Sequence, residues 1–283
     1  MKKVLVPTDF SECANNAVNF AVQTAKYLPV QVILLHSYER SDSAYTRYVG
    51  LDGEYSAMLL KDINDNMNNL ANSIKETDGI EIETIISDTS LNESIISISE
   101  ERGIDLVVMG THGATGFREK FWGSKTAALI DKTIVPLMVI PYDYHWKRPV
   151  KFVFATNHFE EDRPILDYLF EMVSLYNAQI EVVSFTDEDT QTAVQQLQNN
   201  LNEYSIRLKS VYGEDALTVS YLHGSEFDNT LQEYIKSNDI DVLAMVTYHK
   251  EKSFFYRLFN TGMTTKMSYH TQTPLLVIPA GGK

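Results

Sequence analysis

Cysteine is almost missing from this chain: Cys13 is the one thiol in 283 residues. That excludes an intramolecular disulfide framework and a cysteine-based zinc site within one chain, and it suits a reducing compartment. Cys13 itself reads as a packing residue early in a helix. Long apolar runs are missing too. None reaches the roughly 18 residues that a membrane span needs, and "MKKVLVPTDF" has no apolar stretch of signal-peptide length before Asp9. A cytoplasmic protein without a membrane partner is therefore expected. Basic residues are outnumbered, with 24 Lys and Arg against 38 Asp and Glu and a net charge of -14. Nucleic-acid binders cluster Lys and Arg, so a nucleic-acid partner is not expected. A single nucleotide stays open, because backbone N–H groups at a helix N-terminus hold phosphate without side-chain charge. Glycine is scarce as well, at 13 residues. Four of these fall in one stretch, "GTHGATGFREKFWGSKT", Gly110 to Thr126.

The chain repeats itself. "KKVLVPTDFSECANNAVNFAVQTAKYL" aligns without gaps on "VKFVFATNHFEEDRPILDYLFEMVSLY", and "IDLVVM" returns as "IDVLAM". Asp9 pairs with Asn157 at an offset of 148, Asp105 with Asp241 at 136 and Pro141 with Pro279 at 138. The first repeat thus carries about twelve extra residues after its second strand, around Arg40 to Ala57, a segment that suits a lid, an interface or a plain surface loop. The join falls in "PYDYHWKRP", which predicts two domains, residues 1–145 and 146–283.

Within each repeat, short β-rich apolar runs alternate with helical patterns, the signature of βαβ units and a parallel sheet. Runs such as "VLVP", "VILLH" and "LVVMG" are nearly all apolar, as strands covered by helices on both faces should be. The fold class is α/β: two tandem Rossmann-like, doubly wound domains, each with a five-stranded parallel sheet. In such sheets a ligand sits beyond the carboxyl ends of the strands, where strand order reverses. If strands 1 and 4 are neighbours there, "PTDFS" meets the glycine stretch.

The chemistry of that meeting point suits a nucleotide. Gly110 and Gly113 would let backbone N–H groups approach a ligand. Gly123, Ser124, Lys125 and Thr126 open a predicted helix, where free N–H groups and the dipole favour an anion. Asp9 would accept hydrogen bonds from a base or a ribose, or else cap its own helix with Ser11. The P-loop pattern fails, since "WGSKT" has no glycine directly before its lysine, and no G-x-G follows the first strand. The spacing Gly110, Gly113, Gly123, Ser124 instead resembles the G-2x-G-9x-G-(S/T) loop of the universal stress protein family. "KVLVPTDFSE", "VILLHSYE", "DLVVMGTHGATGF" and "GSKTAALIDKTIVPLMVIP" are similar to that family in order and spacing.

The resemblance implies sheet order 3-2-1-4-5 in each domain and a stress-response role. It places Pro7, Thr8 and Asp9 on the base and ribose side, Ser37 beside the adenine, and the glycines with Ser124 around the phosphates. The implied cofactor is ATP, or ADP or AMP, with Mg²⁺ or Mn²⁺ held through the phosphates. The second repeat departs from the pattern. Ala155 and Asn157 replace Pro7 and Asp9; Val246, His249 and Thr261 stand where the three glycines stood. Three functions remain open: a nucleotide-binding module that regulates a stress response, a slow ATPase, and a scaffold with an empty inherited site. No general base is assigned; Glu119 is an unanchored candidate, with Arg118 and Lys120 nearby. The apolar edge runs "PLMVIP" and "PLLVIP" need covering, and the resemblance implies that such strands pair between domains, here within one chain as an intramolecular pseudo-dimer; two chains could associate further as a homodimer.

Overall fold

The computed structural model describes residues 1–38, 52–111, 126, 129–130, 132–248 and 272–280. In the first half the strands are β1 (Lys3–Pro7), β2 (Gln31–Ser37), β3 (Ile82–Ser87), β4 (Leu106–Gly110) and β5 (Leu137–Ile140). Its helices are α1 (Glu12–Ala25), α2 (Asp52–Asp78) and α3 (Leu91–Arg102). The second half repeats the pattern with β6 (Lys151–Ala155), α4 (Arg163–Tyr176), β7 (Gln179–Thr186) and α5 (Gln191–Tyr212). It continues with β8 (Thr218–His223), α6 (Phe227–Ser237), β9 (Val242–Thr247) and β10 (Leu275–Pro279). Residues 39–51 of the extra segment lie outside the described residues, and Asp52 begins α2.

The apolar runs become strands because helices cover both of their faces. All residues of β4, β5, β9 and β10 are buried. Local signals fix the helix ends. Ser11 accepts a hydrogen bond from the Ala14 N–H at the start of α1. Ser90 and Glu93 form a reciprocal capping box on α3. Gly103 ends α3 at φ +63°, a left-handed turn that glycine adopts without strain.

The strands form one ten-stranded sheet in the order β3-β2-β1-β4-β5-β10-β9-β6-β7-β8. Each half therefore has the expected order 3-2-1-4-5, read inward from opposite edges. Every pairing is parallel except that of β5 with β10. There Leu275 faces Val139, Leu276 faces Met138 and Val277 faces Leu137. With an offset of 138 between these strands, this register is symmetric about the Met138–Leu276 pair. A pseudo-twofold axis passes through it, normal to the sheet, because matching residues such as Val4 and Phe152 lie in the same core layer. One layer packs under α1, α2, α4 and α5, the other under α3 and α6, and both run unbroken across the junction. Each large side chain buried there contributes about 1.5–3 kcal/mol. Both apolar edges are thus covered within one chain.

The ungapped alignment of the first strand–helix unit needs one correction. From strand to helix the chain takes residues 8–11 in the first half and 156–162 in the second. From helix to strand it takes residues 26–30 in the first half and 177–178 in the second, where Asn177 turns the chain at φ +51°. The two differences of three residues cancel, so α4 is displaced by almost one turn relative to α1 while β7 returns to register.

A strap, residues 141–150, joins the halves along α1. Tyr142 hydrogen-bonds Glu12 and accepts from Asn16. Trp146 stacks on Tyr27 at 5.5 Å, and Arg148 donates to the Tyr176 carbonyl at 2.6 Å. Across the junction the hydroxyls of Thr24 and Tyr176 meet at 3.0 Å.

Candidate functional site

In the first half β1 lies between β2 and β4, so strand order reverses between β1 and β4. The turn after β1 is held at several points. The Thr8 N–H extends the ladder by donating to the Leu35 carbonyl at 2.8 Å, and Pro7 pairs with Leu35 in register. The Thr8 hydroxyl accepts from the Phe10 N–H at 3.1 Å. Phe10 sits at φ +62°, a left-handed conformation that costs a non-glycine residue of order 1 kcal/mol and persists only where neighbours enforce it. Asp9 accepts from the Ser11 N–H at 3.1 Å, leading into the capped first turn of α1. On β2, His36 places Nδ1 2.8 Å from the Thr8 carbonyl and stacks its ring on Phe10 at 4.9 Å and 21°.

Gly110 ends β4 beside this turn, and the fold itself requires a glycine there. A Cβ at 110 would lie 2.6 Å from the Cys13 carbonyl oxygen and 2.7 Å from its Sγ. Helix α1 thus presses its first turn onto the end of β4. Thr111, buried beside it, has its hydroxyl 3.6 Å from the Cys13 thiol. Thr126, also buried, donates its hydroxyl to the Gly110 carbonyl at 3.1 Å, so that group ties the loop's two ends together. Ser37 ends β2 and donates its hydroxyl to the Thr89 carbonyl at 2.8 Å.

Pro7, Thr8, Asp9, Gly110 and Thr126 therefore converge at the switch point, with Ser37 on the adjoining strand. Gly113, Gly123, Ser124 and Lys125 lie outside the described residues, as do His112, Gly116, Arg118, Glu119 and Lys120. Phe10, Cys13 and His36 join the site unannounced by the sequence pattern. Only His36, directly before Ser37 on β2, carried a positional hint.

The second half repeats the turn with different side chains around it. The Thr156 N–H donates to the Val183 carbonyl, and the Thr156 hydroxyl accepts from the His158 N–H, just as at Thr8. Asn157, in the place of Asp9, reaches across to β7. Its Nδ2 donates to the Phe185 carbonyl at 2.7 Å, and its Oδ1 accepts from the Phe185 N–H at 2.8 Å. Phe185 matches Ser37. Asp9 has no amide to donate, and among the described residues no side chain takes the matching N–H and C=O of Ser37.

Tyr248 then packs on His158 at 4.9 Å and donates to Glu160. Glu160 also accepts from the N–H groups of Glu161 and Asp162 at 2.8 and 2.6 Å. Burial, with the Glu160 carboxylate beside it, pushes the Tyr248 phenol well up and keeps it protonated. Val246 stands in the place of Gly110 without conflict, because the displaced α4 makes no contact with β9 comparable to that of α1 with β4. His249, Thr261 and Gly262 lie outside the described residues.

A groove of about 620 Å³ opens elsewhere in the second half, lined by Phe170, Tyr212, Asp167 and Glu181 among others. It lies at the amino ends of β6 to β8, where the short helix-to-strand connection leaves room, and not at the carboxyl edge where α/β sheets bind ligands. Among the described residues no three His, Cys, Asp or Glu side chains gather as a metal site, and no helix is long and apolar enough to cross a membrane.

The family model described as the universal stress protein family matches residues 1–141. Universal stress protein MJ0577 of Methanocaldococcus jannaschii is 29% identical over 153 residues, covering 49% of this chain and 94% of that protein. Universal stress protein MJ0531 of the same organism is 28% identical over 143 residues, covering 49% and 81%. Over nearly the whole chain the fold is shared with the crystal structure of a universal stress protein from Archaeoglobus fulgidus. The TM-score is 0.63 at 15% identity, covering 99% of this chain and 98% of that one. This chain belongs to the universal stress protein family.

Proposed function

We propose that residues 1–145 bind one adenine nucleotide, ATP with Mg²⁺ or Mn²⁺, in the crevice between β1 and β4. Residues 146–283 have lost that site, and the protein acts as a nucleotide-dependent binding module in a stress response. One observation carries this reading: Asn157 occupies the backbone edge of Phe185, while among the described residues no side chain hydrogen-bonds the same edge at Ser37. An adenine presents an amino donor beside a ring-nitrogen acceptor, the counterpart of one residue's C=O and N–H. The second half supplies that pattern from its own carboxamide; the first half leaves it to a ligand.

The other residues take complementary roles. Pro7, Thr8 and Asp9 flank the base and ribose. Gly110 and Gly113 bring the chain to the phosphates, with Gly123, Ser124, Lys125 and the backbone of Thr126 offering donors at a helix start. The metal would be held through phosphate oxygens and water.

The test is to measure nucleotide released from freshly purified, acid-precipitated protein, beside the Gly113→Val and Asp9→Ala variants. About one adenine nucleotide per chain, lost in both variants, is the expected result. No nucleotide, and no binding when ATP and Mg²⁺ are added, would leave the protein a scaffold with an empty site.

A further inference from the structure

We propose that His36 is a positioning residue for the nucleotide site: it locks the turn that carries Asp9. The inference rests on the nucleotide reading above and extends it to a side chain that touches no ligand. A carbonyl oxygen only accepts, so the 2.8 Å contact from Nδ1 to the Thr8 carbonyl requires the proton on Nδ1. The opposite tautomer, with the proton on Nε2, would set two lone pairs against each other. The same ring lies nearly parallel on Phe10, the left-handed residue of the turn. Thr8 and Phe10 are the two neighbours of Asp9, and His36 restrains both. The peptide groups of Thr8 and Phe10 flank the Asp9 Cα and set the direction of its Cα–Cβ bond, so a turn locked at both neighbours fixes where the Asp9 side chain starts.

The second half supplies an independent comparison. At the position of His36 stands Ser184, whose hydroxyl donates to the Thr156 carbonyl at 2.7 Å. The carbonyl is pinned in both halves, by unrelated side chains, and the turn needs that donor. Only the first half adds a ring from β2. In the second half the rings on the turn come from elsewhere: Tyr204 of α5 packs on Phe159, and Tyr248, from the end of β9, packs on His158. On the proposed reading, the choice of ring partner thus separates a turn that leaves its crevice to a ligand from one that does not.

The experiment uses the full chain and three variants: His36→Asn, whose amide can donate from the Nδ1 position, His36→Phe, which keeps a ring and loses the donor, and Asp9→Ala. ATP with Mg²⁺ is titrated calorimetrically into each, and the thermal midpoint of each is recorded. In parallel, ¹⁵N-histidine spectra of the parent read the tautomer, with His36 assigned by its loss in the Asn variant. The expected results are an Nδ1–H tautomer, ATP affinity within about threefold of the parent for His36→Asn, and about tenfold weaker binding for His36→Phe. An Nε2–H tautomer would overturn the proposal. So would parental affinity in His36→Phe, or equal losses in both His36 variants; with Asp9→Ala still impaired, those outcomes leave the nucleotide reading standing. A parent that binds no ATP overturns the nucleotide reading, and the positioning role falls with it even if the tautomer is as expected.

Discussion

Replacing Gly110 by alanine tests whether the first glycine of the loop serves the fold before it serves a ligand. The added methyl would sit 2.6 Å from the Cys13 carbonyl oxygen, 2.7 Å from Sγ and 2.9 Å from the carbonyl carbon. Carbon–oxygen contacts normally close at about 3.2 Å or more, so α1 or β4 must give by roughly half an ångström. Two of the three clashing atoms are backbone atoms of the first turn of α1, and no rotamer change relieves them. Overpacking of this kind costs about 1–3 kcal/mol, and the upper end is expected here because backbone must move. With a urea slope near 3 kcal/mol per molar, the unfolding midpoint should fall by about 1 M. The double variant with Cys13→Ala removes only the Sγ clash and should recover less than half of that loss. Urea unfolding of the parent, both single variants and the double variant measures this directly, in the absence of nucleotide. A Gly110→Ala protein as stable as its parent, or one fully rescued by Cys13→Ala, would refute the packing argument.

Two further outcomes concern the second half. Burial, with a smaller push from Glu226, raises the Asp228 carboxyl to about 6 from an ordinary 3.8. Between roughly pH 4 and 6 the folded chain keeps a proton that the unfolded chain has released, so stability falls as pH rises through that window. Asp228→Asn, which restores the chemistry of the matching Asn92, should be about 3 kcal/mol more stable than the parent at pH 7 and level with it near pH 4; urea midpoints across pH decide this. Asn157→Asp sets a carboxylate against the Phe185 carbonyl in place of an amide donor. It should lose about 2 kcal/mol at pH 7 and regain part of it at pH 3, where the protonated acid can donate again; thermal midpoints at the two values suffice.

The strand order was legible only through the family resemblance, because burial does not say which apolar strand lies beside which; the need to cover the two apolar edges was legible from burial itself. Runs with no polar face must be covered on both sides, and "PLMVIP" had one similar partner within the chain. The three-residue displacement of α4 was hidden because two opposite changes cancel within one helical unit, leaving an ungapped match. The site was legible only in part. Gly110 stood out as a glycine, yet the atom it makes room for belongs to Cys13, and only the approach of α1 to β4 reveals that. Thr126 read as a phosphate donor by position, while its hydroxyl is committed to the Gly110 carbonyl. The contact of His36 is with a carbonyl in the turn after another strand, which no residue pattern encodes.

What the two halves share and what they have changed divide along physical lines. Asp105 accepts from the N–H groups of Lys2 and Lys3 at 2.6 and 2.9 Å, and Asp241 accepts from Val150 and Lys151 at 2.8 and 2.9 Å. Each carboxylate satisfies two backbone donors at the start of its half's first strand, where an unpaired donor would cost about 1–3 kcal/mol. The apolar pair at the pseudo-twofold is likewise kept in kind, as Met138 and Leu276. At the carboxyl edge the opposite holds: Asp9 and Asn157, His36 and Ser184, and Gly110 and Val246 differ in charge, size or both. In a dimer of identical subunits every change at the ligand edge appears twice, and a closed crevice costs both sites. Once β5 and β10 pair within a single chain, one crevice can close on its own side chains while the other stays open. On the proposed reading, the closed half stabilises the junction at every nucleotide concentration, and the open half alone answers to the ligand.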